Sequence, residues 1–167
     1  MYFLSDASGF YSSAEKVMRP DLRNKPVVTL SNNDGCIVAV CPIANKLGIK
    51  KFVPYFQVKE LIKKHGVVVT SSNYELYHSL STKMMDTISQ FADDIYVYSI
   101  DELFARFDTR LSHDSWLDLG RDIRRTVWKE VRLPVGAGGG ITPTLAKAAS
   151  HAAKRLPGYN GVAVIDS

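Results

Sequence analysis

Cysteine is scarce. The two thiols in 167 residues, Cys36 and Cys41, are too few and too close in sequence for a disulfide framework, and no His or Cys is spaced around them as in a zinc knuckle. Long apolar runs are missing as well: no stretch approaches the ~18 consecutive residues that span a bilayer, so no membrane partner is expected. The opening Met1-Tyr2-Phe3-Leu4-Ser5-Asp6 has neither the basic start nor the apolar core of a signal peptide. These absences together give the expectation of a reducing, cytoplasmic setting. Internal repeats and low-complexity linkers do not occur. Neither sign of charge dominates: 21 Lys and Arg against 17 Asp and Glu leave +4, a surplus that permits a polyanionic partner without specifying one.

What is present reads as one folded domain, or one domain with a small inserted lobe. Hydrophobic residues at 46% and charged residues at 23% exclude a disordered chain or a fibre. Tyr2-Phe3-Leu4 is expected to be a buried strand running into Asp6, and Phe10 to Val17 a helix stopped by Pro20. Two apolar runs, Pro26 to Leu30 and Ile37 to Val40, flank the turn Ser31-Asn32-Asn33-Asp34-Gly35 and predict a hairpin. Helices are expected up to Leu47 before Gly48, from Gln57 to His65, and from about Asn73 to Phe91, with a short strand at Val67 to Val69. Ile95 to Ile100 and Leu103 to Phe107 read as strands joined at an acidic bend, Asp101-Glu102. A helix follows over Trp116 to Val131, then a short strand at Pro134 decaying into glycines, a helix from Pro143 to about Arg155, and a last strand, Gly161 to Ile165. Strands and helices mix without regular alternation, which predicts an α+β fold with an antiparallel or mixed sheet. Residues 20–75 are a candidate for the separate lobe.

Several chemistries are excluded by their motifs. Gly136-Ala137-Gly138-Gly139-Gly140 lacks the third glycine of a dinucleotide fingerprint and the Gly-Lys-Ser/Thr of a phosphate loop, since Ile141-Thr142-Pro143 follows. It leaves a helix N-terminus near Thr142 that suits an anion, with Lys147, Lys154 and Arg155 further along; the alternative is a flexible turn and a solvated basic face. No Gly-x-Ser-x-Gly elbow occurs, and Cys36 is expected to be a small buried strand residue. His65, His78, His113 and His151 have no metal-ligand spacing. The acids carry more. Asp6 at a strand end and Asp101-Glu102 at a bend would form an oxygen-only site suited to Mg²⁺ if those strands are neighbours, and two such ions serve phosphoryl and nucleotidyl transfer.

With those residues in view, the chain resembles the Y-family translesion DNA polymerases, in particular their UmuC-like branch (ImpB/MucB/SamB), the catalytic subunits of bacterial DNA polymerase V. The matching blocks are Asp6-Ala7-Ser8-Gly9-Phe10-Tyr11, Arg19-Pro20-Asp21-Leu22, Lys25-Pro26-Val27-Val28, Ser31-Asn32-Asn33-Asp34-Gly35-Cys36, Ser72-Asn73-Tyr74-Glu75-Leu76-Tyr77, Tyr98-Ser99-Ile100-Asp101-Glu102 and Thr144-Leu145-Ala146-Lys147. The resemblance implies a palm, about residues 1–12 and 78–167, bearing Asp6, Asp101 and Glu102, with an inserted fingers lobe at about 13–77. It implies two Mg²⁺ ions on those three acids, attack by a primer 3′-hydroxyl on the α-phosphate of a deoxynucleoside triphosphate, and loss of pyrophosphate. Tyr11 matches the aromatic steric gate that rejects a 2′-hydroxyl, Phe10 a residue near the triphosphate, and Lys154 a triphosphate-binding lysine.

Three positions depart from the family pattern. Ser8 replaces a second acid or amide, Asn45 stands where relatives carry a triphosphate-gripping Arg or Lys, and Pro143 replaces a lysine. A cation missing from a charge-assisted hydrogen bond weakens binding by about 1.5–3 kcal/mol. Relatives continue into a thumb and a little finger, so the chain is expected to be a fragment that holds template-primer DNA weakly by itself. The implied partners are that DNA, the nucleotide, a recombinase filament, a cleaved accessory-subunit dimer and a sliding clamp, whose binding tail is not expected here. The expected function is damage-induced (SOS-type) translesion synthesis. The alternatives are a non-catalytic polymerase-like module for DNA or protein docking, which would have no need for crowded acids, and a nucleotide cyclase, which would not need Tyr11.

Overall fold

Alternation of side chains along a short apolar run makes a strand when both faces find cover, and Tyr2–Ala7 (β1) is such a run. A computed structural model describes all residues, 1–167. After β1 come helix α1 (Phe10–Met18), a 3₁₀ turn (Pro20–Leu22), strands β2 (Val27–Leu30) and β3 (Ile37–Val40), helices α2 (Pro42–Lys46) and α3 (Tyr55–His65), and strand β4 (Val68–Ser71). Helix α4 (Tyr74–Ser89), strands β5 (Asp94–Ser99) and β6 (Glu102–Arg106), helix α5 (His113–Val131), strand β7 (Val135–Gly140), helix α6 (Pro143–Arg155) and strand β8 (Val162–Ile165) complete the chain. The elements gather into two units, one of Met1–Ala7 with Leu80–Ser167, the other of Ser8–Ser79. No helix is long and apolar enough to cross a membrane.

The larger unit is a five-stranded mixed sheet in the order β5-β6-β1-β7-β8. β1 lies at its centre, antiparallel to both β6 and β7, and β8 runs parallel to β7, as the crossover through α6 requires. Phe3 is fully buried, with its ring 5.7 Å from Phe107 and 6.0 Å from Trp116 of α5. On α5, buried Trp116, Ile123, Val127 and Val131 mark the apolar stripe, while Arg121–Asp118 and Arg125–Asp122 pair on its exposed side. Such surface pairs contribute about 0–1 kcal/mol, against about 1.5–3 kcal/mol for each large apolar side chain buried. The stripe therefore holds the helix. Its first turn begins at His113, earlier than the periodicity predicts, because the Ser112 hydroxyl caps it by accepting from the Ser115 N–H.

The glycine run is strand to its last residue, correcting the reading of a short strand decaying into a flexible turn. A Cβ on Gly138 would stand 2.1 Å from the Ser150 nitrogen, and one on Gly140 2.3 Å from the Ala146 nitrogen. Backbone of α6 occupies the space that side chains would take. The helix answers with small residues, burying Ala146, Ala149, Ser150 and Ala153 at helical spacing. Close approach, and not phosphate cradling, is what these glycines provide.

The smaller unit carries a three-stranded sheet, β3-β2-β4, with β2 antiparallel to β3 and parallel to β4. Val27, Val28, Leu30, Ile37 and Ile62 lie in its core. A hydroxyl chain, buried at Ser12 and Thr29 and half-buried at Thr70, crosses it: Ser12 Oγ lies 2.9 Å from Thr29 Oγ1, which lies 2.9 Å from Thr70 Oγ1. Gly9 begins α1 in the left-handed region at φ +53°, and a Cβ there would sit 2.3 Å from the Val40 carbonyl oxygen, so the turn into α1 requires glycine. Of the two thiols, Cys36 is exposed and Cys41 buried, which corrects the expectation for Cys36. Strand β3 begins one residue later, at Ile37, and it is Ile37 that turns inward. Cys41 caps α2, its sulfur accepting from the Ala44 N–H.

Candidate functional site

The sheet of the larger unit gathers the sequence's three singled-out acids at one end. Antiparallel pairing of β1 with β6 puts Asp6 directly opposite Glu102. The Ala7 N–H donates to the Asp101 carbonyl at 3.0 Å, tying the bend between β5 and β6 to the end of β1. Across that bend the Ser99 hydroxyl donates to Asp101 Oδ1 at 2.8 Å and lies 3.4 Å from Glu102 Oε1. Like charges facing each other across a ladder destabilise it, so the arrangement is held by the rest of the sheet against its own electrostatics. Burial first, then the Asp6 and Asp101 charges, raise the Glu102 carboxyl above its ordinary pKa.

Two lysines of α6 reach this end. Lys154 Nζ donates to Asp6 Oδ2 at 2.9 Å, joining residues 148 positions apart. Lys147 Nζ stands 4.5 Å from the centre of the Tyr98 ring and donates to its hydroxyl at 2.9 Å; that bond is the leading cause of its raised pKa. Sequence reasoning noted both lysines as basic residues beyond a helix start but missed their partners. The Asp6 contact joins two ends of the chain and leaves no local pattern. The pairing of Lys147 with Tyr98 is equally nonlocal.

No three His, Cys, Asp or Glu side chains converge closely enough to enclose a metal ion. Asp6, Asp101 and Glu102 share a sheet end, and the charge of the first two is felt at Glu102, yet the Lys154 ammonium already sits on Asp6. The donor chemistry, carboxylate oxygen throughout with an excess of negative charge, fits a hard divalent cation.

The remaining singled-out residues belong to the smaller unit. Tyr11, in the first turn of α1, stacks on Tyr77 with centroids 4.3 Å apart and planes at 13°, and Tyr74 meets it edge-on at 5.8 Å. Tyr77 is fully buried, donates its hydroxyl to Glu15 Oε1 at 2.7 Å, and is held well above the ordinary phenol pKa by burial and by that carboxylate. Phe10 is buried, its ring 5.9 Å from that of Tyr11. Asn45 is exposed on α2. The support that Tyr77 gives Tyr11 was missed, although the Tyr74/Tyr77 pair at helical i, i+3 spacing was its available signal.

Comparison with known proteins agrees with this architecture. The fold matches that of DinB from Sulfolobus solfataricus with a TM-score of 0.84 at 24% identity, over 99% of this chain and 48% of that one. An insertion ternary complex of Dbh DNA polymerase matches with a TM-score of 0.84 at 24% identity, over 98% and 48%. The fold is thus the α+β palm-and-fingers fold of Y-family DNA polymerases. Residues 5–151 match the impB/mucB/samB family. The chain is 47% identical over 155 residues to Protein UmuC of Salmonella typhimurium, covering 93% of itself and 37% of that protein. It is 42% identical over 167 residues to Protein ImpB of the same species, at 99% and 39% coverage. The chain belongs to the impB/mucB/samB family and spans 37–39% of the length of these relatives.

Proposed function

We propose that this chain forms the palm and fingers of a Mg²⁺-dependent translesion DNA polymerase acting in the cytoplasmic response to DNA damage, with about residues 1–12 and 78–167 as palm and about 13–77 as fingers. The observation that carries the reading is the placement of Asp6 opposite Glu102 with Asp101 bonded to the end of β1. Three carboxylates crowded at a strand end weaken a fold, and a reaction that gathers divalent cations and phosphates supplies a reason for them.

Asp6, Asp101 and Glu102 would hold two Mg²⁺ ions, which when bound supply acidification of the primer 3′-hydroxyl and neutralisation of charge on the departing pyrophosphate. The chain's own groups do the positioning. Ser99 restrains the two acids of the bend through its hydroxyl. Tyr11, backed by Tyr77, presents a rigid ring under the sugar and disfavours a 2′-hydroxyl by contact. Phe10 supports the triphosphate side of the same turn, and Lys154 carries the mobile cation that meets the phosphates. Asn45 offers an amide in place of a fixed charge, which weakens nucleotide binding by about 1.5–3 kcal/mol relative to a cation there. Template-primer DNA is the other substrate, and a recombinase filament, an accessory dimer and a sliding clamp are the proposed protein partners.

Titration calorimetry of Mg²⁺ and a deoxynucleoside triphosphate into this chain tests the reading. Binding that requires Mg²⁺ and disappears in Asp6→Ala is the expected result. Nucleotide binding that is indifferent to Mg²⁺ and to Asp6→Ala would overturn it and leave a docking module.

A further inference from the structure

We propose that Lys154 is the resident counter-cation of the acid cluster, and that a divalent ion and Lys154 compete for Asp6 so that seating the ion releases the lysine to an anionic ligand. The inference rests on the functional reading above and adds to it a coupling between cation and anion binding.

Asp6 is the less exposed of the two partners, its side chain 18% exposed against 44% for Lys154. A carboxylate so placed, facing Glu102 across the ladder, gains from any cation that reaches it. The other ammonium nearby, Lys147, is engaged with the hydroxyl and ring of Tyr98. The two lysines therefore have different duties. Lys147 is held by an aromatic side chain, and Lys154 is held by the Asp6 carboxylate. Lys154 lies in the last turn of α6, on a long flexible stem, so leaving Asp6 asks for rotation of a side chain and not for movement of the helix.

The three acids do not converge on one point. One of their six carboxylate oxygens, Asp6 Oδ2, is occupied by an ammonium. An ion that takes Asp6 displaces that ammonium, and the freed cation stands beside the site as a binding group for phosphate. Linkage makes the effect reciprocal: an anion that draws Lys154 away raises the affinity for the ion by the factor by which the ion raises affinity for the anion. Lys154 is on this account a competitor of the ion for Asp6 and, once released, a binding group for the anion.

The test uses Mn²⁺ alone, with no nucleotide, followed by the loss of the free-ion electron paramagnetic resonance signal on the whole chain. Lys154→Met is expected to bind Mn²⁺ ~3–5-fold more tightly than the native chain, the range set by one partly exposed ion pair. Lys147→Met removes an equal charge from the same sheet end without freeing Asp6, and is expected to change affinity less. Thermal melts of both variants check that the fold persists. Equal tightening by the two substitutions would reduce the effect to a general field and overturn the proposal, as would unchanged or weaker binding in Lys154→Met. In those cases Mn²⁺ binding that still disappears in Asp6→Asn leaves the acid site standing. Absence of any Asp6-dependent binding in every chain would overturn both the proposal and the functional reading.

Discussion

Tyr11 lies flat on Tyr77, ring on ring at 4.3 Å, and Tyr77 is itself anchored by a hydroxyl bond to Glu15. A residue proposed to judge the sugar of a nucleotide must not yield when pressed, and the stack supplies that stiffness. Tyr77→Phe keeps the ring and deletes the bond, so it should destabilise the chain by about 1–2 kcal/mol and leave the preference for deoxy- over ribonucleoside triphosphates intact. Tyr77→Ala should cost about 3–5 kcal/mol and lower that preference. Urea melts and paired calorimetric titrations with the two nucleotides measure both effects.

Two neighbouring glycines of β7 should respond differently to alanine. At Gly138 the new Cβ would meet α6 backbone at 2.1 Å, whereas at Gly136 the nearest atom is the Gly161 oxygen at 3.7 Å. Overpacking against a backbone that cannot turn aside costs about 1–3 kcal/mol or more, so Gly138→Ala should lower the denaturation midpoint clearly. Gly136→Ala should fall within about 0.5 kcal/mol of the native chain. Equal loss at both would remove close helix approach as the reason for the run.

Glu102 sets a pH dependence. Burial and then the Asp6 and Asp101 charges raise its folded-state pKa, so the folded chain holds this proton more tightly than the unfolded chain does. Stability from this group is greatest below the ordinary value of 4.5, falls as pH rises through the folded value, and stays low above it. Glu102→Gln, which cannot ionise, should therefore melt at a higher temperature than the native chain at pH 7. The gap should close as the pH is lowered below 4.5, and Mg²⁺ should narrow it at pH 7 by stabilising the native carboxylate. Scanning calorimetry across pH, with and without Mg²⁺, checks each part.

The two cysteines differ in access. Cys36 is exposed and Cys41 fully buried, so a thiol reagent should label one group rapidly in the folded chain and the second only in denaturant. Cys41→Ala removes the cap on α2 and the acceptor for the Val27 N–H at 3.2 Å, for an expected loss of about 1–2 kcal/mol. Cys41→Ser should recover part of it.

Local signals made much of this structure legible. Thr142 followed by Pro143 marks a helix start because a hydroxyl cap and a missing N–H both suit that place, and α6 does begin at Pro143 with Thr142 accepting from the Leu145 N–H. The pattern Leu80, Met84, Met85, Ile88 announces the buried side of α4, and all four are buried. The acidic bend between two apolar runs likewise foretells the β5–β6 hairpin. The β7 glycines were misread because composition reports flexibility, whereas their use depends on a helix lying on top of them. Lys154 on Asp6 and Tyr77 beneath Tyr11 were hidden for a related reason. Each contact spans at least 66 residues, by subtraction of the sequence numbers, and its geometry comes from the finished packing.

The strand order of the larger unit has a temporal side. β1 is synthesised first and takes the centre of its sheet between β6 and β7, yet β6 begins at Glu102 and β7 ends at Gly140. A ribosome adding ~5–20 residues per second needs roughly 5–20 s to deliver the first of those neighbours. Meanwhile Ser8–Ser79 is complete and continuous, with every strand of its own sheet already made. Phe3 and Leu4, buried in the finished protein, must wait. The oldest strand of the nascent larger unit is the one left longest without a partner.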